Sequence, residues 1–201
     1  PEDVEAACAV VAAGDTVAVD VGVANGRGFL NVASIGLPAT VASLLTPALK
    51  QRWGVLAYAM AAVQATLRQR PFSATLTVDG RRRHVRWVMQ VAIGSGRYYG
   101  GGLSVTDAAR STDGYLSVHV ITAPNVFALL WTLRHLRSGR YARGDSALRF
   151  RARDVRVTTR RPRGVDVDGE VAGRTPLHVE VRPRCVEVFA PRRPEPEADA
   201  V

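Results

Sequence analysis

Apolar residues recur at every second position along much of this chain, the spacing of strands that turn one face to a core and the other to water. The alternation runs through residues 16–23, where Val17, Val19 and Val21 oppose Ala18, Asp20 and Gly22. It returns over 73–78, 84–93, 115–121 and 150–159. In 165–191 two alternating segments meet at Asp168-Gly169 and a further one follows Thr175-Pro176, which predicts a β-hairpin and then another strand. Similar pairs mark other turns: Asn25-Gly26 leads into 28–33, Asp79-Gly80 closes a hairpin with Arg81, Arg82 and Arg83 at its tip, and Asp113-Gly114 precedes a strand. Ser34-Ile35-Gly36 is read as a break in the pattern.

Helical spacing is confined to a few segments. Residues 4–13 follow Glu2 and Asp3 and end at Gly14, as a short helix would. Residues 37–49, 53–69 and 125–137 carry amphipathic helical patterns, the second stopped by Pro71 and the third by Gly139. Their apolar stripes read as core. Residues 94–102, GSGRYYGGG, hold five glycines in nine positions, so the backbone there turns repeatedly or approaches something closely. Hairpin-linked strands with helices set between them, and no alternating βαβ units, predict a mainly β fold: an antiparallel β-sandwich with two or three attached helices. Residues 192–201 read as a disordered tail.

Composition narrows the classes of function. Of 201 residues, 47% are apolar, enough for one sizeable core. The net charge of +9 favours anionic partners. Lys50 is the single lysine, so the basic side is almost wholly arginine. Basic strands without interleaved exposed aromatics argue against nucleic acid. Cys8 and Cys185 have no disulfide or zinc spacing, and His84 has no second ligand beside it. The most apolar stretch, 53–67, falls short of a membrane span; no signal peptide is visible, and the start at Pro1 looks like an interior cut.

Asp168 and Glu170 flank a glycine at a turn. On their own they read as a turn former and a solvated strand residue. Three segments change that reading. FLNVASIG at 29–36, GSGRYYGGGLSVTDAARSTDGYLSV at 94–118 and VDVDGE at 165–170 resemble, in order, the F-x-N-x-x-S-x-G, N-G-R-Y-Y-G-G-G…A-x-x-x-D-G-x-L and D-G-E segments of the diacylglycerol kinase and sphingosine kinase superfamily, above all its bacterial lipid kinases. The resemblance covers about Thr16 to Pro191. It implies that residues 1–191 are the C-terminal β-sandwich domain of a two-domain enzyme, with 1–15 entering from an N-terminal nucleotide-binding domain whose G-G-D-G-T signature is not in these residues.

The same resemblance implies an ATP-dependent lipid kinase, cytoplasmic and peripheral to the inner face of the membrane, acting on diacylglycerol or a sphingoid-like lipid. Asp168 would be the general base and Glu170 its coupled partner. Magnesium would be held by Asp113 with main-chain oxygens near Arg110 and Tyr115, and ATP mainly by the N-terminal domain. Partners would be the lipid and that domain, with room for a homodimer. The alternatives are a relative of the NAD kinases, which the Y-Y-G-G-G segment disfavours, and a non-catalytic basic module holding acidic lipid. Ser95 departs from the family's asparagine, and Asp107 stands where a proline is usual. Asp166 adds a carboxylate two residues before Asp168, which makes it a necessary control.

Overall fold

The computed structural model describes residues 3–36, 70–95, 98–99, 103–104, 112–124 and 147–191. The expected helices at 37–49, 53–69 and 125–137, the tail at 192–201 and Arg110 lie outside the described residues. The first element, α1 (Val4–Ala13), is capped by the Asp3 side chain and closed by Gly14 at φ 73°, and none of its residues is buried.

Strands follow. β1 (Thr16–Ala24) turns at Asn25-Gly26 into β2 (Arg27–Phe29), and β3 (Val32–Gly36) comes after a short link. β4 (Phe72–Val78) turns at Asp79-Gly80 into the long β5 (Arg81–Gly94). The two-residue strands β6 (Tyr98–Tyr99) and β7 (Leu103–Ser104) pair with each other. Then come β8 (Leu116–Thr122), β9 (Ala147–Ala152), β10 (Asp154–Thr159), β11 (Gly164–Val167), β12 (Glu170–Arg174) and β13 (Leu177–Phe189).

All but β6 and β7 belong to one curled antiparallel sheet, in the order β12-β11-β3-β5-β4-β10-β13-β1-β2, with β8 joining β5 to β9. The expected mainly β, sandwich-like architecture is what these strands build. β5 is its hub. Its first half pairs with β4 from Arg81 to Val88, and its second half lies between β3 and β8. The inward faces supply the core, in which Ile35, Leu76, Met89, Ile93, Leu116 and Leu177 are fully buried among valines.

The structure departs from the sequence reading in three places. Residues 34–36 do not break the pattern; they continue β3, hydrogen-bonded to β5 and, through Ser34 and Ile35, to β11. Gly36 is needed there, because its φ is 105° and a Cβ would collide with the Met89 carbonyl. Arg81, Arg82 and Arg83 belong to β5 and do not form its loop, since the two-residue turn uses only Asp79 and Gly80. Residues 150–159 are two strands divided at Arg153: β9 pairs with β8, whereas β10 lies between β4 and β13.

Candidate functional site

Three turns share one device. Asn25-Gly26, Asp79-Gly80 and Asp168-Gly169 each place both residues at positive φ, 48° and 86°, 45° and 80°, and 50° and 88°. Two-residue turns of this hand match the twist of the strands they join, and Asn, Asp and Gly tolerate them best. In each turn the first side chain also reaches to a neighbouring strand link. Asn25 Oδ1 accepts the His178 N–H at 2.9 Å. Asp79 Oδ1 accepts the N–H groups of Arg153 and Asp154, both at 2.9 Å.

Asp168 carries the device furthest. Oδ1 accepts the Asn31 and Val32 amides at 3.2 and 2.8 Å, and Oδ2 accepts the Leu30 amide at 3.0 Å. The Asp168 N–H returns a bond to the Val32 carbonyl at 2.9 Å. A carboxylate offers about four acceptor positions. Three are taken, and the one left is on Oδ2 of an exposed side chain.

The hairpin's other two carboxylates divide unequally. Glu170 is 72% exposed and forms an ion pair with Arg27, so the acid expected to couple to Asp168 is drawn to an arginine on β2. Asp166 lies under the turn and is 3% exposed. Its Oδ1 meets the Gly169 N–H at 3.3 Å and the Ser34 hydroxyl at 3.5 Å, and its Oδ2 has no hydrogen-bond partner. Burial pushes the Asp166 carboxyl above the usual carboxylate range; the Gly169 N–H and Ser34 pull it back, and the negative charge of Asp168 adds to the rise.

The turn is tied to the Asp113 region by a run of hydrogen bonds. The Asn31 carbonyl accepts the Ser95 N–H at 3.2 Å, and the Ser95 hydroxyl donates to the Asp20 carbonyl at 3.0 Å. Asp20 is 1% exposed, and its Oδ2 accepts the Gly114 N–H at 2.6 Å while Oδ1 accepts that of Arg184 at 2.9 Å. The Asp168 turn, the start of the glycine-rich segment and the Asp113-Gly114 turn therefore share one end of the sheet. Asp113 itself accepts the Tyr115 N–H at 3.0 Å and pairs with Arg151 at 2.8 Å, and the Arg151 guanidinium also lies 4.6 Å from the Tyr115 ring centre. No group of three or more His, Cys, Asp or Glu able to hold a metal occurs among the described residues. One carboxylate with main-chain oxygens and water is an acceptable magnesium donor set, and here Arg151 occupies Oδ2 of Asp113 while Oδ1 accepts the Tyr115 N–H.

Sequence reasoning passed over Asp20. Its signal was a lone acid in an otherwise apolar strand. Asp20 shares its side of β1 with the buried Gly22 and Ala24, so it points inward; opposite it the register slips, with Pro183, Arg184 and Cys185 of β13 standing against this one residue and Arg184 at φ 50°.

The sheet, its clasped turns and the three linked segments define a class. The chain belongs to the YegS C-terminal, NAD kinase beta sandwich-like domain family, whose pattern matches residues 31–190. It is 29% identical over 175 residues to a "Probable lipid kinase YegS-like" protein of Pseudomonas savastanoi pv. phaseolicola, covering 87% of this chain and 56% of that one. It is 23% identical over 192 residues to a diacylglycerol kinase of Staphylococcus carnosus, covering 96% and 62%. The chain thus spans little more than half the length of these relatives. Its fold is similar to the crystal structure of a diacylglycerol kinase from Bacillus anthracis str. Sterne, with a TM-score of 0.64 at 19% identity over 94% of this chain and 59% of that one. A second crystal structure from that organism has a TM-score of 0.75 at 23% identity, over 94% and 61%.

Proposed function

We propose that the intact protein is an ATP-dependent lipid kinase that phosphorylates a hydroxyl of diacylglycerol or a sphingoid-like lipid, with this chain supplying the acceptor side of the reaction. Asp168 takes the hydroxyl proton on the free position of Oδ2 as the lipid oxygen attacks the γ-phosphoryl group and ADP leaves. The observation that carries this reading is the amide clasp at Asp168, which fixes a carboxylate at an exposed turn and leaves one acceptor position open. Glu170 is assigned to holding Arg27, and the buried Asp166 to holding the turn through the Gly169 N–H. Asp113, with main-chain oxygens near Arg110 and Tyr115, would hold magnesium, which would supply charge neutralisation. ATP is bound mainly by an N-terminal domain. The enzyme works at the inner face of the membrane from the cytoplasmic side. No helix among the described residues is long and apolar enough to cross a membrane.

A second reading has its own observation. Asp79 makes a clasp of the same kind at a turn that matches no motif of the family, so the Asp168 clasp can be explained as scaffolding alone. The two readings separate in a kinase assay on the full-length protein with diacylglycerol and sphingosine as acceptors, at a temperature well below unfolding. A general base contributes on the order of 10²- to 10⁴-fold. Asp168→Asn should lower kcat by that much while Asp79→Asn, its structural counterpart, changes kcat by less than about threefold. Equal losses in both variants, or near-normal turnover by Asp168→Asn, would remove the base assignment.

A further inference from the structure

On the outward side of β4, β5 and β10 the ladder register sets side chains in rows. Thr77 stands between Arg82 and Arg156, and Thr75 between His84 and Thr158. The next outward positions are Ser73, Arg86 and Arg160. The result is a face with an arginine at each corner and hydroxyls and His84 within, its arginines all exposed. A hollow of about 460 Å³ lies in it, lined by Ser73, Thr75, His84, Thr158, Thr159 and Arg160.

Neither β4 nor β5 contains a carboxylate. The carboxylates beside the face are engaged: Asp79, in the β4–β5 turn, by the Arg153 and Asp154 N–H groups, Asp154 by His178 and, at 3.8 Å, by Arg156, and Glu180 by Arg182. No carboxylate among the described residues pairs with Arg82, Arg86 or Arg160. Three like charges without a paired carboxylate, beside an Arg156 held only at 3.8 Å from Asp154, leave the face with an excess of positive charge.

Beside one corner the sheet is deformed. The β4–β5 register shifts between Phe72 and Ala74, so Arg86 and Trp87 together stand where a regular ladder has one residue. Trp87 adopts φ 58° and is 51% exposed, with the Arg86 guanidinium 5.8 Å from its ring centre. An indole held outward beside an arginine suits the boundary between acyl chains and headgroups, where Trp and basic side chains are enriched.

We infer that this face of β4, β5 and β10 docks on an anionic lipid bilayer, with Arg82, Arg86, Arg156 and Arg160 meeting headgroup phosphates and Trp87 entering the headgroup layer. The corner residues are roughly 13 Å apart along the strands and about 10 Å across them. One phosphate group cannot reach all four corners, whereas a layer of headgroups can. A single-stranded nucleic acid would need successive stacking platforms, and this face has one aromatic at its margin. The docking stands apart from the chemistry at Asp168, because it needs neither ATP nor turnover.

The test is co-sedimentation of the full-length protein, without ATP, with vesicles of phosphatidylcholine alone or containing roughly one-third phosphatidylglycerol. The wild type should sediment with the acidic vesicles and not with the neutral ones. Replacing Arg82, Arg86 and Arg160 together by Ala should weaken that binding at least about tenfold, and replacing them together by Lys should retain it, since a charged surface needs point charges and not guanidinium forks. Trp87 emission should shift to the blue on binding, and Trp87→Phe should abolish the shift. Both triple variants should keep the wild-type unfolding midpoint and the wild-type turnover of detergent-dispersed lipid, which separates loss of docking from failure of the kinase reading. Undiminished vesicle binding by the Ala variant, displacement by inorganic phosphate, loss of binding in the Lys variant, or uptake of an oligonucleotide in place of acidic vesicles would each overturn the inference.

Discussion

Replacing Asp166 by Asn keeps the side chain's shape and removes a charge that burial disfavours. Because the folded-state pKa of Asp166 lies above its ordinary value of 3.8, the native state holds this proton more tightly than the unfolded chain does. The resulting penalty is absent below the unfolded value. It grows as the pH rises through the window between the unfolded and folded values, and is complete above the latter. Asp166→Asn should therefore raise the thermal midpoint at pH 7 and leave it unchanged near pH 3, as read by circular dichroism melts at both. A lower midpoint at pH 7 would mean that the ionised carboxylate has a favourable partner. Sequence alone marked Asp166 only as an extra acid. Strand alternation puts residues 166 and 168 on one side, but no local pattern says that Ser34, 132 positions away, closes over the first of them. Asp168 was legible as a turn former; its three amide donors come from a distant link and were not.

Among the elements, the hairpins were the most legible, because an Asn-Gly or Asp-Gly pair fixes a two-residue turn and with it the register of both strands. The bulges were not. Arg86-Trp87 in β5 and Pro183 to Cys185 in β13 break strict alternation, and only pairing with a second strand reveals the extra residues. The same limit explains residues 34–36: Ser34 looked polar enough to end a strand, yet it is 1% exposed between β5 and β11. Two glycines of these elements separate backbone strain from lack of room. Gly169 has φ 88° with nothing within 4 Å of the place a Cβ would take, whereas Gly36 combines φ 105° with the Met89 carbonyl in the way. Gly169→Ala should cost about 1 kcal/mol, the strain of a left-handed residue. Gly36→Ala should cost at least about 3 kcal/mol, because β3 or β5 must also move. Denaturant midpoints of the two variants check the order; equal losses would show that the sheet yields at Gly36 without effort.

For the molecule as a whole, hairpin signals and the scarcity of helix–strand alternation were enough to indicate an antiparallel, sandwich-like fold. The strand order was hidden, since β3 pairs with β5 and β11 and β1 with β13 across separations that no turn residue encodes. Charge was legible as a total and not as a map: alternation supplies the outward positions of β4, β5 and β10, but only their adjacency gathers the arginines.

The central position of β5 has a consequence for how the molecule comes apart. Val91, Ala92 and Ile93 are bonded on one edge to β3 and on the other to β8, and all are buried. Their amides should be the slowest among the described residues to exchange with heavy water, by on the order of 10²-fold or more relative to those of β12, which among the described strands has a neighbour on one side only. Exchange followed by mass spectrometry would show it, and comparable rates in the two strands would contradict it. Partial opening should then strip the sheet inward from its margins, so that the carboxylate turn between β11 and β12 loosens while the middle of β5 still holds.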